Sequence, residues 1–146
     1  MKKLLFFLCL LTIAACNRPV FSDTVSFEQN RWPRDQAPAF DFEIKDSGTY
    51  DVYVDFSHVY NGIPFSSVPM QLDISGDHSE KFDFELEIVK DGKHAGDCTG
   101  DYCDITVKVA TLELPAGNYR AAVSQGFDHD FLPNVIRAGI AVRKSQ

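Results

Sequence analysis

The sequence predicts an all-β protein, an antiparallel two-layer β-sandwich with a jelly-roll or immunoglobulin-like outline. Apolar and polar residues alternate at period two in segment after segment from residue 40 onward, a pattern typical of strands with one buried face. No segment carries an apolar stripe of helical period longer than two turns. Six to eight short strands of this kind pack as two layers. A closed barrel is the alternative that the pattern leaves open.

The alternating segments predict the strands in chain order. The first, residues 40–44, places two phenylalanines and an isoleucine on one face and Asp41 and Glu43 on the other. Each later segment repeats this division between an apolar and a polar face. These later segments are residues 50–56, 70–74, 82–88, 105–109, 112–114, 119–123 and 136–142. The 12 phenylalanines of the chain supply enough apolar volume for a substantial core.

Two tyrosines mark expected corners of the sandwich. The run Leu114-Pro115-Ala116-Gly117-Asn118-Tyr119 is typical of a tyrosine corner, in which a tyrosine opening a strand donates its hydroxyl to nearby backbone. The run Asp46-Ser47-Gly48-Thr49-Tyr50 has the same Gly-x-Tyr ending, and we expect a turn that needs its glycine. This second run also resembles an immunoglobulin signature. Val52 stands where that signature has cysteine, however, so membership of the immunoglobulin family is excluded.

The N-terminus carries the pattern of a bacterial lipoprotein signal. Lys2 and Lys3 precede an apolar stretch over residues 4–13, and two alanines then lead into Cys16. The stretch is too short to span a bilayer, which needs about 20 residues. We therefore expect residues 1–15 to be a cleaved signal peptide and Cys16 to be lipidated, with palmitate among its acyl chains, outside the cytoplasm. An ordinary cleaved signal with a chance cysteine is the alternative.

Composition then divides the remaining chain. Residues 16–39 contain three prolines and little periodicity, which predicts a lipid-anchored tether and an extended N-terminal segment ahead of a domain over residues 40–146. Without the signal peptide, 12 basic residues remain against 21 acidic ones, a net charge of −9. Such a charge repels nucleic acid and anionic lipid. We expect the lipid on Cys16, rather than surface charge, to hold the protein at the membrane.

Cys98 and Cys103 are predicted to form a disulfide, because they lie five residues apart in a protein expected in an oxidising compartment. A four-residue turn can bring facing strand residues to the separation that a disulfide prefers. The alternative is a metal site that uses His94, Cys98 and Cys103, which offers three ligands but no second cysteine or histidine pair.

No catalytic motif occurs in the sequence, and we expect neither an enzyme nor a cofactor or metal. The acidic, glycine-rich segment 91–104 could ligate Ca²⁺, but its spacing matches no known calcium loop, and a solvated hairpin is the preferred interpretation. Asp128-His129-Asp130 could bind a metal or move protons, and a metal-dependent enzyme that uses Asp128, His129 and the acidic segment 91–104 is a further hypothesis. Loop solvation is preferred, because neighbouring side chains on an extended chain point to opposite sides.

Aromatic residues are the candidates for a binding surface. Trp32, Tyr60 and Phe27 could stack on sugar rings, although packing in the core is the preferred interpretation for Trp32. A protein-binding patch is instead expected on the loops 58–69 and 126–135. The possible binding residues are therefore Trp32, Tyr60, Phe65 and His129.

The order of several short motifs resembles the gliding-motility lipoprotein H family of the Bacteroidota over nearly the whole mature chain. The motifs follow the lipoprotein cysteine as residues 27–32, 40–44, 48–51, 60–68, 70–72, 114–119, 124–125, 132–135 and 138–140. This chain departs from the family at Ser57-His58, where an arginine–histidine pair is usual. It also departs at Ile63-Pro64 and Ser66-Ser67, where tyrosine–proline and serine–asparagine are usual.

The resemblance implies a non-enzymatic envelope lipoprotein of the gliding-motility and type IX secretion machinery. Its expected partners are other envelope lipoproteins and membrane proteins of that machinery. Asn17 is not the aspartate that retains enterobacterial lipoproteins in the inner membrane, which favours the outer membrane. No acidic run follows Cys16, which favours the periplasmic face over the cell surface. A carbohydrate-binding lipoprotein of the cell surface is the alternative function.

Overall fold

The computed structural model describes residues 18–146, so the predicted signal peptide and Cys16 lie outside the described residues. The described part contains 13 strands and one short 3₁₀ helix, Glu28–Asn30. The strands are β1 (Phe21–Ser26), β2 (Arg31–Pro33), β3 (Ala39–Ile44), β4 (Gly48–Val59), β5 (Ser67–Ser75), β6 (Ser79–Glu87), β7 (Val89–Lys90), β8 (Lys93–His94), β9 (Asp97–Thr99), β10 (Tyr102–Leu114), β11 (Gly117–Gln125), β12 (Phe131–Pro133) and β13 (Val135–Lys144). No helix within residues 18–146 has the length and apolar character needed to cross a membrane.

The strands form two main antiparallel sheets. One sheet has the order β1-β13-β4-β10-β9, and the other has the order β3-β11-β5-β6. Two short pairs, β2 with β12 and β7 with β8, lie outside these sheets. Buried side chains from both sheets join in a single apolar cluster between them. The prediction of an all-β protein with antiparallel sheets in two layers is confirmed.

Each predicted segment of alternation coincides with part of one strand of these sheets, and segment 82–88 runs one residue past the end of β6. In β4, Val52, Val54 and Phe56 are buried, and they occupy every second position, as the period of a strand requires. Segments 105–109 and 112–114 belong to one long strand, β10, whose register shifts between Lys108 and Ala110. A bulge of this kind adds a residue to one strand, which interrupts the alternation in the sequence without ending the strand.

The predicted domain boundary at residue 40 lies inside the folded sandwich. Six residues of β1 pair with β13, so the large sheet already begins at Phe21. Trp32 in β2 is completely buried, and its ring stacks on Phe27 with 4.9 Å between the centroids. The Trp32 indole N–H donates to the Gln36 carbonyl at 2.8 Å. Residues 21–33 thus contribute an edge strand and core side chains rather than a tether.

Both expected tyrosine corners are present. The Tyr119 hydroxyl donates to the Pro115 carbonyl at 2.6 Å, and the Tyr50 hydroxyl donates to the Asp46 carbonyl at 2.5 Å. Each tyrosine therefore ties the start of its strand to backbone four residues earlier. The expected need for glycine at Gly48 is wrong. Its backbone is not in the left-handed region, and an added Cβ would meet only side-chain atoms at 3.8 Å.

The loops fall into two groups at opposite ends of the sandwich. Pairing places the first residue of β4 beside the last residue of β10, and the last residue of β4 beside the first of β10. We call the end formed by residues 27–38, 60–66, 88–101 and 126–134 the loop end. The N-terminal end consists of residues 18–20, 45–47, 76–78 and 115–116. The 12 residues of β4 separate the two ends by about 40 Å, at about 3.4 Å per residue.

Candidate functional site

Large apolar side chains are exposed mainly at the loop end. Within residues 18–146, five large hydrophobic side chains are exposed, and four of them, Tyr60, Phe65, Tyr102 and Phe131, lie at this end. The fifth, Val20, lies at the N-terminal end. Scattered exposed apolar residues are ordinary in soluble proteins, but their concentration on one set of loops is typical of a binding surface.

The loop that carries Tyr60 and Phe65 is held in place by backbone and asparagine hydrogen bonds. Asn134 donates its amide to the Gly62 carbonyl at 2.6 Å, and the Gly62 N–H donates to the Val59 carbonyl at 2.9 Å. A Cβ on Gly62 would lie 2.7 Å from the Cβ of Asn134, so only glycine fits this close approach. The loops 60–66 and 126–134 are therefore fastened to each other.

Phe65, Phe127 and His129 form what we call the aromatic cluster. The rings of Phe65 and Phe127 are 5.0 Å apart, and Phe127 stacks on His129 at 4.7 Å with 20° between the planes. Gln125 is buried, and its side-chain oxygen accepts the Phe127 N–H at 2.7 Å, which fixes the start of this loop. Phe65 is 41% exposed and His129 is also exposed, so the aromatic cluster presents an apolar surface to solvent.

Tyr60 belongs to a second group of rings on the same end. Its side chain is 44% exposed, its ring lies 4.4 Å from that of His94, and its N–H donates to the Asp101 carbonyl at 2.8 Å. Tyr102, the first residue of β10, is equally exposed. The segment 88–101 thus packs beside the Tyr60 ring and leaves part of that ring exposed to solvent.

Two of the acidic residues that the sequence singles out form ion pairs. Asp128 pairs with Arg34 at 3.3 Å and does not clamp the imidazole of His129, which stacks on Phe127 instead. Asp104, from the acidic segment 91–104, accepts from Arg137 at 3.2 Å. Within residues 18–146, the one group of three or more potential metal ligands is His58, His94 and Cys103, so neither Asp128-His129-Asp130 nor the carboxylates of segment 91–104 form such a cluster.

The predicted disulfide is present and lies at the edge of the large sheet. Cys98 on β9 and Cys103 on β10 occupy directly opposite positions, and their sulfurs are bonded. His58 on β4 lies opposite Cys103 from the other side. His58 is fully buried, and burial lowers the pKa of its imidazole below the ordinary value of 6.5. The electrostatic interaction with His94 also lowers this pKa, whereas the Val59 carbonyl and Asp104 raise it.

The structure separates the predicted binding residues into two groups. Tyr60, Phe65 and His129 lie exposed at the loop end, whereas Trp32 is completely buried and offers no face to a ligand. Sequence reasoning missed Phe127, the ring that joins Phe65 to His129. The sequence could have pointed to Phe127, because this residue lies in the same predicted loop as His129. Its contact with Phe65, 62 residues earlier, depends on the packing of two loops and has no local signal.

Comparison with known proteins gives one family and, among the solved structures, several distant likenesses. The family model described as GldH lipoprotein matches residues 19–142. No curated protein matches the chain. The solved structure of TmCBM61 in complex with β-1,4-galactotriose is 15% identical, with a TM-score of 0.35, 85% of this chain and 82% of that chain covered. A family 35 carbohydrate-binding module from Clostridium thermocellum is 12% identical, with a TM-score of 0.34, 81% of this chain and 97% of that chain covered.

Proposed function

The chain belongs to the GldH lipoprotein family, and from this premise we propose that it is a non-enzymatic subunit of the gliding-motility and type IX secretion machinery. Family membership makes it a gliding-motility-related lipoprotein anchored in the cell envelope. The proposed subunit acts through contacts with other envelope lipoproteins and membrane proteins. The observation that carries the proposal is the concentration of exposed aromatic side chains at one end of the sandwich.

A lipid on Cys16 would place the N-terminal end of the sandwich, opposite the loop end, at the membrane. Cys16 precedes Phe21, the first residue of β1, by only five residues, which span at most about 18 Å. The N-terminal end therefore stays close to the bilayer, and the length of β4 lets the loop end reach up to about 40 Å further away. Asn17, which follows the lipidated position, supports the outer membrane, and the lack of an acidic run directly after Cys16 supports its periplasmic face.

The loop end has the composition of a protein-binding surface. Its centre carries aromatic side chains, which dominate the energetics of protein interfaces. The loop end carries seven acidic and four basic residues, so its net charge is −3, with Asp128 already paired to Arg34. A partner of matching chemistry offers apolar pockets bordered by lysine or arginine.

Complementation of a gene deletion in the native host tests the proposal. The deletion strain should lose surface spreading and adhesin secretion, and the wild-type gene should restore both. A Phe65→Ala/Phe127→Ala variant should be exported and folded but fail to restore them, because it removes the apolar centre of the loop end. Val20→Ala is the matched control, since Val20 is an exposed apolar residue at the other end and 52% accessible.

The outcomes separate the parts of the proposal. Failure of Cys16→Ala to restore spreading would support the lipid anchor. Full rescue by the Phe65/Phe127 variant would exclude the aromatic cluster as the binding surface. Normal spreading and secretion in the deletion strain would exclude a role in this machinery.

A carbohydrate-binding lipoprotein is the second candidate, and the exposed rings of Tyr60 and Phe65 favour it. Because Trp32 is buried, its fluorescence cannot report sugar contact directly. Calorimetric titration of the mature protein with envelope polysaccharide fragments, repeated with Tyr60→Ala, tests this function. Heat of binding that Tyr60→Ala removes would support it, and no heat with the wild type would exclude it.

A further inference from the structure

His58, His94 and Cys103 bring three metal-binding groups together beneath the loop end. His58 and Cys103 occupy directly opposite positions on β4 and β10, so their side chains share one face of the sheet. His94 reaches the same place from the short hairpin of β7 and β8. One ring nitrogen of each imidazole and the sulfur of Cys103 all lie within 4.8 Å of one another.

Hydrogen bonds fix the tautomer of both imidazoles. The Nδ1 of His58 lies 2.9 Å from the Val59 carbonyl, which can only accept, so Nδ1 carries the proton. The Nε2 of His94 lies 2.7 Å from the side-chain oxygen of Asn61 and is the protonated nitrogen for the same reason. In each neutral ring the other nitrogen keeps a free lone pair. Those nitrogens are His58 Nε2 and His94 Nδ1.

Both lone-pair nitrogens are buried and have no hydrogen-bond partner. A buried polar atom without a partner lowers the stability of a fold, so its presence requires an explanation. The arrangement is the one that metal-binding histidines adopt, with the first nitrogen free for the ion and the second donating to a carbonyl or side-chain oxygen. His58 is completely buried, so its imidazole belongs to the protein interior and not to the surface.

We propose that His58, His94 and Cys103 form a Zn²⁺ site that is blocked while Cys103 is in the disulfide and becomes available when the disulfide is reduced. Thiolate is a ligand that Zn²⁺ prefers, and two imidazoles complete a three-residue set with a fourth position left for water. In the oxidised protein the sulfur of Cys103 carries no negative charge, so only the two imidazoles remain as strong ligands.

The different exposure of the two cysteines determines which sulfur the reductant attacks. Cys98 is exposed and Cys103 is fully buried, so the thiolate of a dithiol reductant attacks the sulfur of Cys98. The bond between the two cysteines breaks, and Cys103 leaves with the electron pair as a thiolate beside the two imidazoles. The second thiol of the reductant then displaces Cys98, which takes up a proton, and the reductant ends as a disulfide. Zn²⁺ binds the Cys103 thiolate so formed.

The Cys98→Ser variant tests the site without any reductant, because it leaves Cys103 as a free thiol. The mature variant protein, incubated with zinc and desalted, should retain one zinc ion per chain and should lose it when His94→Ala is added. His78→Ala is the matched control, since His78 is exposed at the N-terminal end, and it should leave the retained zinc unchanged. A folded Cys98→Ser protein that retains no zinc would overturn the proposal, as would equal zinc retention by the oxidised wild type.

A second measurement uses the wild-type protein and is independent of the folding of any variant. In a glutathione redox buffer, zinc that binds only the reduced form must increase the ratio of reduced to oxidised protein, by the factor one plus the free zinc concentration over its dissociation constant. Alkylation followed by mass spectrometry gives that fraction with and without zinc. A reduced fraction that rises with zinc supports the site, and a fraction that does not change overturns it.

Discussion

Replacing Gly139 with alanine should loosen the edge strand β1 from the sandwich. Gly139 lies in β13 directly opposite Thr24 of β1. A Cβ at this position would lie 2.2 Å from the carbonyl oxygen of Asp23 and 2.8 Å from the Cα of Thr24. These are backbone atoms, which cannot rotate away as a side chain can. The alanine variant therefore has to push β1 outward.

The structure sets the size of the effect and supplies its control. Forcing an extra methyl group into a closely packed site costs about 1–3 kcal/mol, so Gly139→Ala should lower the free energy of unfolding by that amount. Gly48 is the control, because its added Cβ would meet side-chain atoms only at 3.8 Å. Gly48→Ala should raise the free energy of unfolding by about 0.4–1 kcal/mol, because alanine reduces the entropy of the unfolded chain.

Urea denaturation followed by tryptophan fluorescence measures both variants. The chain has a single tryptophan, Trp32, which is buried in the folded state and becomes exposed on unfolding. Limited proteolysis should in addition cut the Gly139→Ala protein within β1 faster than the wild type. Equal free energies of unfolding for the two alanine variants would refute the close approach of β13 and β1.

Three further predictions concern the corners, the disulfide and the buried histidine. Tyr119→Phe and Tyr50→Phe should each lower the free energy of unfolding by about 1 kcal/mol in thermal melts, because each removes one hydrogen bond. Melting curves identical to the wild type would exclude a stabilising hydrogen bond at these corners. Opening the disulfide with Cys98→Ser should lower the free energy of unfolding in urea by about 2 kcal/mol, the value that the chain-entropy relation gives for a six-residue loop. In the presence of excess reductant, the variant and the wild type should have the same free energy of unfolding. Because the pKa of His58 is lowered on folding, the unfolded chain binds its proton first, and stability should fall as the pH drops below about 6.5. His58→Gln should reduce this slope between pH 7.5 and 5.5, and an identical slope would contradict the burial of a neutral imidazole.

Local patterns in the sequence account for most of the strands. Period-two alternation predicts a strand wherever one face is buried, as in β3, where Phe40, Phe42 and Ile44 are buried. The tyrosine corners and the disulfide were also predictable, because each joins residues only four or five positions apart. Short separations leave little choice of geometry, so residue type and spacing are sufficient.

Contacts between distant residues account for what the sequence did not predict. In β1 only Phe21 and Val25 are partly buried, four residues apart, so this edge strand has no period-two signal. His58 meets Cys103 because β4 and β10 pair in one particular register, which no local pattern specifies. The sequence therefore singled out the loops 58–69 and 126–135 and placed His94 with Cys103 in an alternative metal site, but it did not bring His58 to that group.

The position of β1 has a mechanical consequence for a protein held between a membrane and a moving partner. With the lipid on Cys16, a pull on the loop end draws β1 toward the bilayer along its own axis, while β13 is drawn the opposite way. Hydrogen bonds between antiparallel strands lie across the strand direction, so this load shears all six paired positions together instead of peeling them one at a time. If the protein acts as proposed, the β1–β13 ladder carries this load between the bound partner and the lipid.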